Sequence, residues 1–239
     1  MEHHPEPWPL RHLVLHTPGL ELRPDDDAGL LELVGEAYRG VHPPETMPFG
    51  FPWTDAPAEE LGCNTLQHHW KLRAELTPGS WTLNFLVRRD GRVIGTQGLT
   101  AKNFAITREV HTGSWIGRRH QGQGYGTEMR AAALAFAFDH LDAEQARSDA
   151  FTDNPASRGV SRKLGYVEDG VQRQARRGES ADVVRLLLTR ERFDVYRPRW
   201  KPAVAGIEQC LPMLVAAQGR NRTGPRERGI SPARGEGRT

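Results

Sequence analysis

The residues whose types and spacing could support chemistry are concentrated between Glu109 and Gly126. This stretch begins as a strand-like run and ends in a turn rich in Arg, Gln and Gly, and a helix pattern over residues 127–138 follows directly. Three glycines alternate in the turn, and glycine tolerates positive φ without holding a ligand away from the backbone. Backbone N–H groups at such a turn, backed by the positive end of a helix dipole, suit an anion. The turn is therefore predicted to bind a phosphate or pyrophosphate group.

The well-known nucleotide-binding loops fit this turn poorly. A Walker-type loop ends in Gly-Lys-Ser/Thr, and no such Lys follows these glycines. A dinucleotide-binding fingerprint spaces its glycines as G-x-G-x-x-G near the start of a β-α-β unit. Here the spacing is G-x-G-x-G, and an antiparallel hairpin pattern precedes it. A tight turn that binds nothing stays open on these residues alone.

Composition bounds the class of protein. The 239 residues allow one domain with a tail or two small domains, and the formal net charge of +2 gives no general reason for a nucleic-acid or membrane partner. Cys63 and Cys210 are far apart and form neither a disulfide framework nor a zinc pattern. The start of the chain does not resemble a secretory signal, and the longest near-apolar run, residues 131–138, is too short to span a bilayer. We expect a cytoplasmic protein with no membrane partner.

The elements that must position the turn alternate between strands and helices. A Pro- and aromatic-rich loop, residues 40–57, separates two helix patterns, and Asp90-Gly91 between apolar runs indicates a β-hairpin. After the glycine turn come a short strand, a helix that begins at Pro155 after Asn154, and last strands at residues 166–167 and 182–189. The order predicts an α/β (α+β) fold with a mixed sheet, antiparallel on one side. The folded domain is expected over residues 1–196. A tail rich in Arg, Gly and Pro, residues 197–239, is expected to be largely disordered apart from one amphipathic turn or short helix within residues 203–217.

Two motifs in order resemble a known family. The pattern Gln121-x-x-Gly124-x-Gly126 is similar to the Q/R-x-x-G-x-G/A signature of the GNAT-superfamily N-acyltransferases. The segments WIGRRHQGQGYGTEM and FTDNPASRGVSRKLGYVEDG resemble the branch that includes ribosomal-protein N-terminal-alanine acetyltransferases. The resemblance covers residues 10–195 approximately. It implies a GNAT fold, with a mostly antiparallel twisted sheet, flanking helices and splayed central strands. It also implies an acyl-CoA-dependent N-acyltransferase.

The resemblance assigns a binding site for acetyl-CoA or another acyl-CoA. The pantetheine arm would pair with the strand before the turn, and Asn154 would hydrogen-bond that arm. The pyrophosphate would meet the helix start, with Arg119 and its neighbour Arg118 adding charge. Lys163, with Arg162, would reach the 3′-phosphate or stay a surface charge. The strand partners are Trp115, Ile116 and Gly117, and the helix-start amides are those of Gln121, Gly122, Gln123, Gly124, Tyr125, Gly126 and Thr127.

The catalytic groups are only partly assigned by the resemblance. Ser157 matches the family position near the sulfur, where its hydroxyl could donate to the departing thiolate. Many relatives carry Glu where this chain has His111. Imidazole titrates near neutrality, so His111 could be the general base directly or through a water. Glu109, which shares a strand face with His111, is the second candidate.

The acceptor is predicted to lie among the first helices and their connecting loop. A Pro- and aromatic-rich loop favours a small-molecule amine over a protein amine, although a protein N-terminal or lysine acetyltransferase stays open. Some relatives with a similarly long loop use succinyl-CoA, so the acyl group also stays open. Neighbouring His68 and His69 do not have the spacing of a chelating pair, and no metal site is predicted. A non-catalytic acyl-CoA-binding module and nucleic-acid binding through the arginines of the tail are the rival hypotheses from other functional classes. A homodimer or higher homo-oligomer is also compatible with the family.

Overall fold

The structure, a computed structural model, describes residues 4–215, and one nine-stranded sheet organises them. The order across the sheet is β7-β8-β6-β5-β4-β3-β2-β1-β9, and β5–β6 is the parallel pair among otherwise antiparallel described neighbours. The strands are β1 (Val14–His16), β2 (Glu21–Pro24), β3 (Ser80–Arg89), β4 (Arg92–Lys102), β5 (Glu109–Ile116), β6 (Gln145–Phe151), β7 (Val167–Arg176), β8 (Glu179–Thr189) and β9 (Ala203–Ala205). The helices are α1 (Asp27–Tyr38), α2 (Ala58–Ala74), α3 (Phe104–Thr107), α4 (Tyr125–His140), α5 (Pro155–Lys163), α6 (Arg190–Tyr196) and α7 (Ile207–Leu214).

Helices cover both faces of the sheet. On one face α4 buries every residue from Met129 to Phe138, and a run of small side chains from Ala131 to Ala133 lets it lie close to the strands. On the other face α1 buries Leu30 and Leu33 against Leu86 and Val93 of the hairpin. These two layers confirm the predicted mixed α/β sheet flanked by helices.

The hairpin between β3 and β4 confirms the turn predicted at Asp90-Gly91. Asp90 has φ 49° and Gly91 has φ 76°, so both central residues are left-handed. That conformation matches the right-handed twist of the paired strands, and Asp-Gly adopts it readily. The hairpin fixes β4, which carries β5 on its other edge.

The two parallel strands separate part-way along their length. Their pairing runs from Glu109 opposite Gln145 to His111 opposite Arg147, although β5 continues to Ile116 and β6 to Phe151. Side chains take over where the ladder ends: Thr112 Oγ1 donates to the Arg147 carbonyl (3.3 Å) and Ser148 Oγ donates to the Thr112 carbonyl (3.1 Å). The strands therefore enclose a wedge that opens toward the glycine turn. The splayed central strands were predicted, and they are confirmed.

The structure continues past the predicted domain boundary at residue 196. Strand β9 pairs with β1, and α7 buries Cys210 and Leu214 in the main core. The indole N–H of Trp81 donates to the Leu214 carbonyl at 2.7 Å. Residues 197–215 are too short to fold alone, but the edge of a finished sheet supplies the surface they need. The remainder of the predicted tail, with most of the arginines behind the nucleic-acid hypothesis, lies outside the described residues.

Strand β7 is much longer than the two strand residues predicted at 166–167. Seven of its ten residues are exposed and the other three are half-buried, because it is an edge strand whose faces contact little of the core. An exposed edge strand needs no alternation of apolar and polar residues, so the pattern used for prediction is missing. Within residues 4–215 no helix combines the length and apolar character needed to cross a membrane.

Candidate active site

The turn between β5 and α4 presents a row of backbone donors. Gly122 has φ 74° and Gly124 has φ 90°, so both adopt the left-handed conformation that favours glycine. The N–H groups of residues 122–126 have no hydrogen-bond acceptor among the described residues. The two outer amides of the predicted set are used internally: Gln121 N–H donates to the Arg118 carbonyl (3.2 Å) and Thr127 N–H to the Gly124 carbonyl (3.0 Å). Of the seven amides predicted to bind an anion, five therefore remain without an internal acceptor.

Gln121 and Arg119 are both predicted cofactor residues, and their side chains build the scaffold of the turn. The amide nitrogen of Gln121 donates to the Val41 carbonyl (2.7 Å) and to the Ile116 carbonyl (2.8 Å), which fastens the loop after α1 to the end of β5. The guanidinium of Arg119 pairs with the carboxylate of Glu36, a buried residue of α1. These contacts tie the turn to α1 and occupy both side chains.

Helix α5 packs against the first half of α4. Asn154 Oδ1 accepts a hydrogen bond from the Ser157 N–H at 3.0 Å and so caps the helix. A Cβ added to Gly126 would lie 3.7 Å from Val160 Cγ2, so the first turn of α4 is in contact range of the second turn of α5. The side chain of Ser157 therefore lies in the first turn of a helix that follows the splayed end of β6. Lys163 is exposed in the last turn, about 9 Å from Ser157 along the helix axis.

The three residues predicted to pair with the pantetheine arm differ in whether their backbone groups are free to do so. Trp115 and Ile116 pair with β4 on one side, and their other edge faces the wedge. Gly117 is already engaged, because its N–H donates to the Ile94 carbonyl and its carbonyl accepts from His120 N–H, both at 2.9 Å. Gly113 leaves open space on the same strand, since an added Cβ would meet nothing within 4 Å.

The two candidates for the general base, His111 and Glu109, have different hydrogen-bond partners. His111 Nε2 lies 2.9 Å from Asp149 Oδ2, and the two side chains are 46% and 49% exposed. The carboxylate of Glu109 accepts from Arg147 Nε (2.7 Å) and from Gln145 Nε2 (2.9 Å). Hydrogen bonds to Glu109 and to Asp169 raise the pKa of the Arg147 guanidinium. The charge of Glu109 is thus paired with that of Arg147. His111 remains accessible and contacts the carboxylate of Asp149.

Aromatic rings from the Pro-rich loop cover the outer face of β5. Ring centroids are 5.7 Å apart for His42 and Phe49, 5.3 Å for Phe49 and Trp53, and 5.3 Å for Trp53 and Trp115. The row therefore joins the loop to the strand that borders the wedge. The loop predicted to form the acceptor wall does lie over β5.

The β7–β8 hairpin holds this loop in place. Arg177 donates to both carboxylate oxygens of Asp55 (2.7 and 2.6 Å) and to the Pro44 carbonyl (3.0 Å). Arg176 donates to both oxygens of Asp153 at 2.8 Å and to the Met47 carbonyl at 3.2 Å. The hydrogen bonds from Arg177 hold the pKa of Asp55 below its usual value.

The two histidines of α2 have different environments. His69 is buried, with Nδ1 2.7 Å from Asp25 Oδ2, and Trp70 Nε1 donates to Asp27 Oδ1 at 3.1 Å. Burial lowers the pKa of neighbouring His68. These contacts fasten α2 to the start of α1. Among residues 4–215, no group of three or more His, Cys, Asp or Glu side chains is arranged to hold a metal.

One functional candidate was missed by the sequence. Arg130 of α4 is 5% exposed, and its guanidinium donates to Ser161 Oγ (2.9 Å) and Ser114 Oγ (3.1 Å). Burial lowers its pKa, and its Nε has no acceptor among the described residues. Arg130 links α4, α5 and β5 beneath the wedge. The sequence gives no signal of this, because an arginine on a helix is ordinarily a surface residue.

A comparison with family models identifies the family to which the chain belongs. The family model described as an acetyltransferase (GNAT) domain matches residues 20–167, more than half of the chain. The chain belongs to the GNAT acetyltransferase family. A curated relative, YdaF of Bacillus subtilis (strain 168), bears a name that marks it as a candidate ribosomal N-acetyltransferase. It is 28% identical over 68 residues, which is 28% of this GNAT chain and 37% of YdaF, so the match spans little more than a third of that relative.

Solved structures show the same GNAT fold. Mycobacterium smegmatis RimJ in complex with CoA-disulfide superposes with a TM-score of 0.64 and 18% identity, covering 85% of this chain and 95% of RimJ. RimL, a ribosomal L7/L12 α-N-protein acetyltransferase in complex with coenzyme A, has a TM-score of 0.59 and 18% identity, covering 74% and 97%. Mutant forms of the Vibrio cholerae spermidine/spermine N-acetyltransferase SpeG have a TM-score of 0.57 and 17% identity, covering 75% and 98%. At these identities the likeness concerns the fold.

Proposed function

We propose that this GNAT protein binds acyl-CoA in the wedge between β5 and β6 and transfers the acyl group to a primary amine. The observation that carries the proposal is the row of five unengaged N–H groups at residues 122–126, at the mouth of that wedge. Donors at a helix N-terminus suit a pyrophosphate, and the unpaired edge of β5 suits an amide-containing arm laid along it. Solved structures of similar fold contain CoA, which supports this co-substrate.

The reaction is a direct attack within a ternary complex. The ammonium group of the acceptor gives a proton to His111, and the free amine adds to the thioester carbonyl carbon to form the new C–N bond. Backbone N–H groups along the wedge would polarise that carbonyl. Collapse of the tetrahedral intermediate breaks the C–S bond, and Ser157 Oγ donates a hydrogen bond to the departing thiolate. The second amine proton reaches the thiolate, which gives free CoA, the amide and one proton released from His111 to solvent.

For the acceptor, we propose a small-molecule amine. The Arg177–Asp55 pair and the hydrogen bond from Arg176 to the Met47 carbonyl hold the Pro-rich loop and its aromatic row over β5, which favours a compact acceptor over a polypeptide. A protein N-terminus or lysine is the second candidate, because the proteins of similar structure include both a protein acetyltransferase and a polyamine acetyltransferase. The acyl group is proposed to be acetyl, with succinyl as the alternative.

The test combines binding and turnover. Calorimetry with CoA and a thiol-release assay with acetyl- or succinyl-CoA should be run across a panel of polyamines, amino acids and N-terminal peptides. We expect CoA to bind and thiol to be released with at least one small amine. Absence of CoA binding would refute the whole proposal. Binding without release on any amine would instead favour a non-catalytic acyl-CoA-binding module.

A further inference from the structure

We infer that His111 and Asp149 form a catalytic dyad in which Asp149 is a positioning residue that fixes the proton-accepting nitrogen of His111. The inference rests on the proposed function, since it assigns a partner to the proposed base. No sequence motif points to Asp149. It lies on β6 two residues after Arg147, and the pair of Arg147 with His111 is the last in the β5–β6 ladder.

The position of the dyad in the fold suits a base. The His111–Arg147 pair ends the parallel ladder, and beyond it β5 and β6 diverge. The 2.9 Å contact between His111 Nε2 and Asp149 Oδ2 therefore spans the two strands where the wedge begins. Both side chains are about half exposed, so an acceptor amine can approach the ring.

The contact also selects a tautomer. An ionised carboxylate only accepts hydrogen bonds, so Nε2 must carry the proton that it donates to Asp149. The neutral ring then keeps its lone pair on Nδ1, and Nδ1 is the atom that takes the proton from the acceptor ammonium. Asp149 in turn stabilises the imidazolium that this transfer creates.

Three arginines lie near the dyad, and none of them takes the place of Asp149 as the partner of His111. Arg147 of β6 is held between Glu109 of β5 (2.7 Å) and Asp169 of β7 (2.5 Å). Arg185 of β8 lies opposite Asp149 in the strand register, and it donates to the Asp169 carbonyl. The β4 neighbour of His111 is the uncharged Thr100. Burial lowers the pKa of the Arg130 guanidinium, and the negative charge of Asp149 acts in the opposite direction.

The decisive variant is Asp149→Asn, which keeps the shape and removes the charge. We expect kcat to fall at least about tenfold, within the range attributed to general-base catalysis, while KM for acyl-CoA stays within about twofold. The acid limb of the kcat profile should move to lower pH, because the imidazolium loses its anionic partner. Asp149→Glu should recover part of the loss.

Asp169→Asn is the matched control. It removes the same charge from a neighbouring strand, and its carboxylate contacts Arg147 and not His111. It should leave kcat and the pH profile unchanged. A second readout is the ¹⁵N spectrum of the His111 ring, which should show the Nε2–H tautomer in the unmodified protein.

The outcomes separate the two proposals. An unmodified protein that releases no thiol would overturn the proposed function and the catalytic role of the dyad with it. An active protein whose Asp149→Asn variant keeps its kcat and pH profile would overturn the dyad alone. A ring that carries its proton on Nδ1 in the active protein would do the same.

Discussion

Ser157 is the single residue whose replacement best separates turnover from cofactor affinity. Its backbone N–H is bound by the Asn154 side chain, so alanine at this position keeps the helix cap and removes only the hydroxyl. We expect Ser157→Ala to lower kcat by about 10- to 100-fold, as for loss of one donor to a developing anion, with the Kd for CoA changed less than about twofold. Stopped-flow thiol release and calorimetry would measure the two quantities.

A neighbouring residue provides the control for that prediction. Arg158 pairs with Glu168 on the exposed side of the same helix. A surface ion pair of this kind contributes little, so Arg158→Ala should leave both kcat and Kd unchanged. If Ser157→Ala kept its full rate, the hydroxyl would have no role in thiolate departure.

At the residue scale, sequence motifs predicted positions better than they predicted contacts. Asn154 and Ser157 lie where the motif predicts, because a helix start is fixed by local residues. Arg119 was predicted to add charge at the cofactor and Gln121 to offer its backbone amide, and their side chains pair with Glu36 and the Val41 carbonyl. Those partners come from α1 and the loop after it, about 80 residues earlier, and no local pattern indicates such long-range pairs.

At the element scale, the glycine turn depends on backbone conformation rather than on space. An added Cβ at Gly124 meets nothing within 4 Å, but φ is 90° there. We expect Gly124→Ala to destabilise the fold by about 1–2 kcal/mol and to lower CoA affinity, because the turn must move to relieve the strain. Thermal denaturation and calorimetry would measure both effects.

The same substitution in α5 should have the opposite sign. Gly159 lies in the interior of that helix, does not adopt a positive φ, and also has open space around an added Cβ. Gly159→Ala should therefore stabilise the protein by about 0.5–1 kcal/mol. Equal effects at the two positions would contradict the role assigned to the left-handed turn.

The β7–β8 hairpin is predicted to control acceptor binding through the Pro-rich loop. Arg177→Ala removes both contacts to Asp55 and the contact to Pro44. We expect KM for the amine to rise several-fold while KM for acyl-CoA stays constant, because the loop covers the acceptor side only. Arg173→Ala, on the exposed part of β7 with Ser180 as its partner, is the control and should change neither constant.

The pH dependence of this contact follows from the lowered pKa of Asp55. A carboxyl group whose pKa is depressed in the folded protein stabilises it above the ordinary pKa and loses that effect as the pH falls through the lowered value. The loop contact should thus persist from about pH 5 to 8 and weaken only below about pH 4. Amine KM measured over the neutral range should be flat, and a change there would argue against the loop contact as its determinant.

Elements were predictable where burial imposes a pattern. The β3–β4 hairpin, β5, α4 and α5 have apolar periodicity or turn residues that fix them, and each lies near its predicted range. Strand β7 lacks such a pattern because it is an edge strand. The wedge was expected only from the family resemblance, since the end of the β5–β6 pairing depends on contacts such as Thr112 with Arg147.

At the scale of the whole molecule, the last described elements are part of the fold and should be required for it. Leu214 is fully buried, and its carbonyl accepts from the Trp81 indole. Leu214→Ala should cost about 2–5 kcal/mol, as for large-to-small changes in a core. Val195→Ala, at a side chain that is 78% exposed, should cost less than about 0.5 kcal/mol. Denaturant unfolding of the two variants would measure the difference.

Two truncations extend this prediction to the predicted domain boundary. A chain ending at Tyr196 lacks β9 and α7, so it leaves the edge of β1 unpaired and the Trp81 N–H buried without its acceptor. Since domains are stable by only about 5–15 kcal/mol, we expect this chain to be insoluble or unfolded.

A chain ending at Val215 keeps all nine strands and seven helices of the described residues and should retain the melting temperature and thiol release of the full chain. It is therefore the correct partner for a filter-binding comparison with the full chain, because a shorter one would confuse loss of nucleic-acid binding with loss of the fold. If the chain ending at Tyr196 folded with unchanged stability, β9 and α7 would be dispensable and the folded domain would end at residue 196 after all.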